Sequence, residues 1–374
     1  MLRLLLALIS LALLGAPLWL EQGPARDHLL ILALTRTDPL PHTRELIAQE
    51  RHAEAAQYLD YFMAYDYVRQ DPAAQQLAQT IASHRASLAY QARKAAEGAW
   101  SGHSDEAIGQ TASVISDFLV IGDLRDLARQ GWLYTQGEET DPVLIALASL
   151  GVAATAAQAG ASLAAAPTGG ATAPAAAGAS AAKSALSALK WLRRADALPP
   201  WLGKTLVQAA DKLRAPRSLA SLGELTGLKN ILADIHTLAA TPGGARLLAA
   251  TTDAASLSRA ARLARAHGAR AAVLQKISGA PLAETLDLTR RMGAAAVQQA
   301  ATYGRQGLRA LGEMGATRFV KYSARIAKLA YKGQALRLAA NWLLALPAWA
   351  PSLAGAAGLL LWWRTRPRRK PQAA

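Results

Sequence analysis

Leu-rich apolar stretches lie at the two ends of this chain. Residues 4–20 form a Leu-rich, uncharged run of 17, and residues 338–363 form an uncharged run of 26. An α-helix rises 1.5 Å per residue, so about 20 apolar residues cross a hydrocarbon layer about 30 Å thick. The second run is long enough to cross with room for tilt. Trp19 closes the first run, and Trp342, Trp362 and Trp363 lie in or at the edges of the second. Indole rings favour the headgroup layer, so these four are the expected interface anchors. Pro347 and Pro351 interrupt the second run. They would kink a spanning helix, and a shallow re-entrant hairpin turning at residues 347–351 is the competing form. The first run opens Met1-Leu2-Arg3, which is also how a secretory signal peptide begins. Gly15-Ala16-Pro17 followed by bulky Leu18-Trp19-Leu20 makes a poor cleavage site and favours an uncleaved signal anchor.

Between the ends the apolar positions recur at helical spacing, Ala-rich helix formers dominate, and period-two strand patterns are missing. The fold class is therefore all-α: a membrane-anchored helical protein with terminal transmembrane helices and irregular helical hairpins between them. Residues 43–69 read as a helical pair, with Ala53, Ala55 and Ala56 small enough for close contact and Glu54 facing water. The pair looks like one tetratricopeptide-type hairpin, but no second copy follows at a 34-residue period, and a single such repeat cannot bury its own face. Tyr58, Tyr61, Phe62, Tyr65 and Tyr67 form an aromatic cluster suited to a core. Asp71-Pro72 opens a helix through Leu77, Ile81 and Leu88 toward Trp100. Residues 143–166 carry no charge, as either a span or a buried core helix. The Ala/Gly/Thr/Pro-rich residues 167–178 read as a flexible linker. Pro199-Pro200, Pro216, Thr241-Pro242-Gly243-Gly244 and Gly279-Ala280-Pro281 break the remainder into short helices. Six regions follow: an anchor at 1–20, an acidic helical region at 21–142, an apolar segment and linker at 143–182, a basic helical region at 183–337, a transmembrane helix at 338–363, and a basic tail at 364–374.

Charge divides the chain unevenly. The net charge is +15, yet residues 21–142 hold 10 Lys and Arg against 18 Asp and Glu, while residues 183–337 hold 25 against 8. Either the two stretches attract each other or separate partners read them. The absence of cysteine excludes disulfides, thiol catalysis and Cys-ligated metals.

The sequence Ser116-Asp117-Phe118-Leu119-Val120-Ile121-Gly122-Asp123-Leu124-Arg125-Asp126, with the apolar stretch that follows to residue 166, resembles a segment found in pre-toxin regions of bacterial polymorphic toxins. Asp117, Phe118, Gly122, Asp123 and Asp126 are the matching positions. Leu119-Val120 stands where that segment usually carries a proline, and no nuclease or deaminase signature follows. The resemblance implies a membrane-active protein of toxin or toxin-delivery type, in which residues 143–166 insert conditionally.

The sharpest local pattern is Arg318, Lys321, Arg325, Lys328 and Lys332, spaced 3, 4, 3 and 4 apart. At about 100° per residue these five cations share an arc of roughly 80° on a helix. Phe319, Tyr322, Ile326 and Leu329 take the adjoining angles. Lying just before the C-terminal apolar run, the stripe is suited to anionic lipid headgroups or to the acidic stretch of the same chain. Lys190-Trp191-Leu192-Arg193-Arg194 suits an interfacial helix or a solvated face. The expected partners are anionic lipids and another membrane or periplasmic protein, with no nucleic acid, in a bacterial inner membrane. With Arg3 and the tail inside, residues 21–337 lie outside the cytoplasm.

Catalytic and cofactor motifs fail on spacing. Leu202-Gly203-Lys204-Thr205 lacks the earlier glycine of a phosphate-binding loop, because position 198 is Leu. The S-x-x-K matches at Ser180–Lys183 and Ser187–Lys190 have no companion motif. The seven histidines show no metal-ligand spacing. The expectation is a non-enzymatic protein without a cofactor that scaffolds or binds a partner at the membrane surface.

Overall fold

The computed structural model describes residues 9–11, 14, 24–90, 141–165, 173–214, 221–327, 341, 347 and 349–364, and among these every regular element is a helix. The chain separates into two units, Met1–Thr37 with Leu288–Ala374, and Asp38–Asp287.

The larger unit opens with α1 of the aromatic region, Leu40–Ala48, then α2 (His52–Met63), α3 (Asp66–Arg69) and α4 (Pro72–Ala86). Helix α2 packs on both α1 and α4. Leu46, Ala55, Leu59, Tyr61, Phe62 and Ile81 fill the space between them. The aromatic cluster is thus a core, as its spacing suggests. Tyr58, Tyr61 and Phe62 are buried and their rings meet edge-on or tilted at 5.3 Å. Asp71 caps α4 by accepting from the Ala73 N–H at 2.8 Å. Leu88, expected on the apolar face of that helix, is exposed beyond its end at Ala86.

Helix α5 (Pro142–Ala165) is the apolar segment, capped by Asp141, whose Oδ1 accepts from the Val143 N–H at 2.9 Å. It packs on α6 (Ala173–Arg194) and α7 (Pro200–Arg214). Ala146, Leu147, Ala148 and Leu150 are buried. Over residues 146–150 the segment is thus part of a helical core, while Val152 and Ala153 are exposed. The linker expected over residues 167–178 is helical from Ala173 onward, since its alanines favour helix as strongly as its glycines oppose it.

Next come α8 (Ser221–Ala239), α9 (Gly244–Ala249), α10 (Ala254–His267) and α11 (Ala271–Ser278). Helix α8 packs on α6, α9 and α10. The break between α8 and α9 is the anticipated Thr241-Pro242-Gly243-Gly244. Gly243 takes φ +73°, and a Cβ on Gly244 would overlap the Leu238 carbonyl, so the turn needs both glycines. At the start of α10, Asp253 and Ser256 form a reciprocal capping box, which holds the Asp253 carboxyl below its ordinary pKa.

Helix α12 (Leu282–Met292) contains the division between the units. The smaller unit then holds α13 (Ala294–Ala301), α14 (Gly304–Met314), α15 (Ala316–Ala327) and α16 (Trp349–Arg364), with Pro24–Ala33 as a further helix against α14 and α15. Val297, Ala300, Leu308, Leu311 and Phe319 are its core. Gln299 donates to the Ser323 hydroxyl at 2.8 Å and joins α13 to α15.

Among the described residues no helix is long and apolar enough to cross a membrane. Helix α16 has 16 residues, which extend about 24 Å, short of a hydrocarbon layer of about 30 Å. The prolines mark where it starts. Pro347 precedes the helix, and Pro351 sits in its first turn, where a missing N–H costs nothing.

Candidate functional site

Folding redistributes the charge that the linear sequence divides into acidic and basic stretches. The larger unit holds 23 Lys and Arg against 23 Asp and Glu and is neutral. The smaller unit holds 18 against 3, so the whole net charge of +15 belongs to it.

Helices α14 and α15 show how the smaller unit presents that charge. Gly307, Leu308, Ala310, Leu311 and Met314 are buried on α14, while Arg305 and Arg309 are exposed. Phe319 and Ser323 are buried on α15, while Arg318 and Lys321 are exposed. Arg318 reaches Asp27 at 3.3 Å yet keeps 61% of its side chain in solvent. One cation of the predicted stripe thus pairs with an acid from residues 21–142 and still faces outward. Arg325 lies on α15, and Lys328 and Lys332 fall outside the described residues.

Among the described residues the same unit carries most of the exposed large apolar side chains. Of ten large apolar side chains exposed among the described residues, seven are Ile9, Leu11, Trp349, Leu353, Leu360, Leu361 and Trp363, each at least half exposed. All seven lie on the terminal segments. Trp363 is exposed and Trp362 partly so. Trp19 and Trp342 fall outside the described residues. Small residues face the other way: Ser10 and Gly355 are buried, and a Cβ on Gly355 would lie 2.6 Å from the Ser10 carbonyl oxygen and 2.8 Å from the Leu14 nitrogen. Large residues outward and small residues inward invert the arrangement of a water-soluble helix pair. The Gly355-x-x-Gly358 spacing was the sequence signal for this contact.

The larger unit contains a cleft of about 710 Å³ beside α2. Glu54, expected to face water, instead has 13% of its side chain exposed in the wall of this cleft. It pairs with Arg246 and Arg51 and lies 3.4 Å from the Lys276 Nζ. Burial acts to raise the Glu54 pKa, but Arg246, Arg51 and Lys276 together outweigh it and hold the carboxyl below its ordinary value. One turn further on, Gln57 donates to the carbonyls of Pro242 and Ala269 at 2.7 Å each and accepts from Arg246. Two residues of the acidic stretch therefore clasp two turns of the basic one. No spacing rule connects positions 54, 57, 246 and 276, so only folding reveals them. An ionised carboxylate held by cations is a poor proton acceptor, and the arrangement acts as a clasp.

Other candidates resolve likewise. Lys190 and Leu192 are buried, Arg193 donates to Asp141 at 2.7 Å, and Arg194 is exposed, so residues 190–194 of α6 pack one face into the larger unit and leave Arg194 at its surface. Gly203, Lys204 and Thr205 lie inside α7, with Gly203 packed near Val143, which removes the phosphate-loop reading. His52 and His84 stack at 5.0 Å, a pairing invisible in sequence. Among the described residues no group of three or more His, Asp or Glu is placed to hold a metal ion. The Asp117–Asp126 stretch lies outside the described residues.

Comparison with protein-family models, curated proteins and solved structures finds no match. Function therefore rests on the geometry of the chain itself.

Proposed function

We propose that this is a non-enzymatic membrane protein of the bacterial inner membrane, anchored by its terminal segments, with a helical extracytoplasmic region that scaffolds or binds a partner at the membrane surface. The observation that carries this reading is the coincidence, in one unit, of all the net positive charge and eight of the ten large apolar side chains exposed among the described residues. An anionic bilayer matches both: its hydrocarbon takes Ile9, Leu11, Leu353, Leu360 and Leu361, and its headgroups take tryptophans and cations. Trp349 and Trp363 close the two ends of α16, about 21 Å apart at 1.5 Å per residue, so a full crossing of a layer of about 30 Å requires residues beyond the helix to extend it. Each Lys or Arg near an anionic leaflet contributes about 1 kcal/mol, so Arg309, Arg318 and Lys321, joined by Arg325, Lys328 and Lys332, suffice to hold α14 and α15 to the surface.

The test is extraction and topology. The full chain should stay with membranes in alkaline carbonate and leave them only in detergent. A reporter active outside the cytoplasm should report after residues 131 and 244 but not after residue 374. Release by carbonate would overturn the anchoring. In flotation with vesicles, reversing Arg309, Arg318 and Lys321 to Glu should weaken binding to anionic vesicles and leave neutral ones unaffected. The toxin-type alternative requires residues 143–166 to leave their contacts with α6 and α7; depolarisation of expressing cells would favour it.

A further inference from the structure

The geometry points to a single membrane anchor made by both ends of the chain: the first apolar segment and α16 pair antiparallel along a seam of Ser10, Gly355 and Gly358. The sidedness drawn from it rests on the bilayer reading above; the pairing itself does not.

The direction of the pair follows from where each glycine lands. Gly355 sits against the backbone between Ser10 and Leu14, and Gly358, one turn later, sits against Ser10 itself, its would-be Cβ 3.2 Å from the Ser10 Cβ and in conflict with the Ser10 Oγ. Moving forward along α16 therefore moves backward along the first segment. A parallel pair would carry Gly358 beyond Leu14 instead. The approach is possible only because neither glycine has a side chain, and only a small residue such as Ser10 fits opposite. Ser10 is 3% exposed. Backbone approach of this kind stabilises helix pairs where water is absent and burial of large side chains offers nothing over contact with lipid. The outward residues agree: Ile9 and Leu11 flank Ser10 on the first segment, and Leu360 and Leu361 follow Gly358 on α16, all facing away from the seam.

The consequence is topological. An antiparallel pair brings the beginning of the first segment and the end of α16 to the same side. Arg3 leads from one, and Arg364, Arg366, Arg368, Arg369 and Lys370 lead from the other. Both basic flanks then lie on one face of the membrane, the cytoplasmic face by the excess of Lys and Arg found there. Neither run alone decides its orientation, since Lys332 and Arg337 precede the second run as closely as the tail follows it. The seam links the two choices.

The chain contains no cysteine, so an engineered pair reports without background. In the full-length protein in native membranes, Ser10→Cys with Gly358→Cys places two sulfurs where Cβ atoms are near disulfide distance, about 3.5–4.5 Å. Oxidation should close a loop of almost the whole chain and give a monomer of increased mobility on a non-reducing denaturing gel. The outward pair Leu11→Cys with Leu360→Cys is the control and should stay uncrosslinked. Equal crosslinking of both pairs, a dimer only, or no crosslink at the seam would overturn the pairing. Single Arg3→Cys and Arg366→Cys variants, probed with a membrane-impermeant maleimide, should label from the same side; opposite sides would overturn the antiparallel arrangement. Carbonate extraction of the same samples separates the two readings: a crosslinked but extractable protein keeps the seam and loses the bilayer, and an unextractable, uncrosslinked one does the reverse.

Discussion

Replacing Glu54 with Gln keeps the shape of the side chain and removes its charge from a position that faces three cations. Glu54 has 13% of its side chain exposed, whereas Arg246, Lys276 and Arg51 have 37, 45 and 51%. With the cations this open to water, each pair falls in the surface range of up to about 1 kcal/mol, and the partly buried carboxylate places the group toward its top. Loss of all three should therefore cost about 2 kcal/mol. For a unit of this size a loss of 1 kcal/mol lowers the melting temperature by about 2–4 °C, so a fall of about 4–8 °C is expected. The assay is thermal unfolding of the full chain in detergent, with hydrogen exchange over residues 241–246 and 268–270 to locate the loosening at the turns that Glu54 and Gln57 clasp. Salt supplies an internal control, because at 1 M the screening length shrinks to about 3 Å and the difference from the parent should narrow. The direction of the pKa shift fixes the pH behaviour. A carboxyl held below its unfolded value of about 4.5 contributes stability above that pH and loses it as the pH falls through the folded value. The gap between parent and variant should then close below pH 4.5. A Glu54→Gln protein that melts within 1 °C of the parent at low salt, or whose deficit is unchanged by salt, would refute the electrostatic account of the clasp.

Burial lowers the His267 pKa from 6.5 to about 4, so the folded protein binds fewer protons than the unfolded chain between those values. Stability should fall as the pH drops through that window, by up to about 3 kcal/mol, and urea midpoints at pH 7 and pH 4.5 should show a loss that His267→Gln removes. A Cβ on Gly307 would overlap the Ala300 carbonyl and lie 2.7 Å from the Tyr303 Cβ, so Gly307→Ala should destabilise the smaller unit by about 1–3 kcal/mol. Gly312→Ala meets only Leu288 at 3.6 Å and should be neutral or stabilising by up to about 1 kcal/mol; hydrogen exchange in α13 to α15 distinguishes the two variants. Leu147→Ala should cost about 2–5 kcal/mol, read as a drop in the melting transition, because Leu147 is fully buried between α5 and its neighbours.

Much of the helical scaffold was legible in the chain because it depends on near neighbours. The aromatic spacing of Tyr58 to Phe62 marked a core, Asp71-Pro72 marked a helix start, and Thr241 to Gly244 and Gly279 to Pro281 marked breaks, each through local backbone chemistry. Residues 173–178 misled because alanine and glycine pull a mixed stretch in opposite directions, and neighbouring helices decide the outcome. Residues 190–194 left an interfacial helix and a solvated face open because the partner that orients Arg193, Asp141, lies 52 positions away.

What the sequence by itself determined is the helical class, the absence of thiol chemistry, the apolar ends and the amphipathic basic helix before the last of them, since periodicity and composition are properties of short windows. What only the tertiary structure decided is which charges meet and which remain. Glu54 finds Arg246 and Lys276 across about 200 residues, the larger unit neutralises itself, and the whole +15 is left with the unit that also shows its leucines and tryptophans outward. Electrostatic pairing depends on distance in space, and that distance is set by packing rather than by position in the chain.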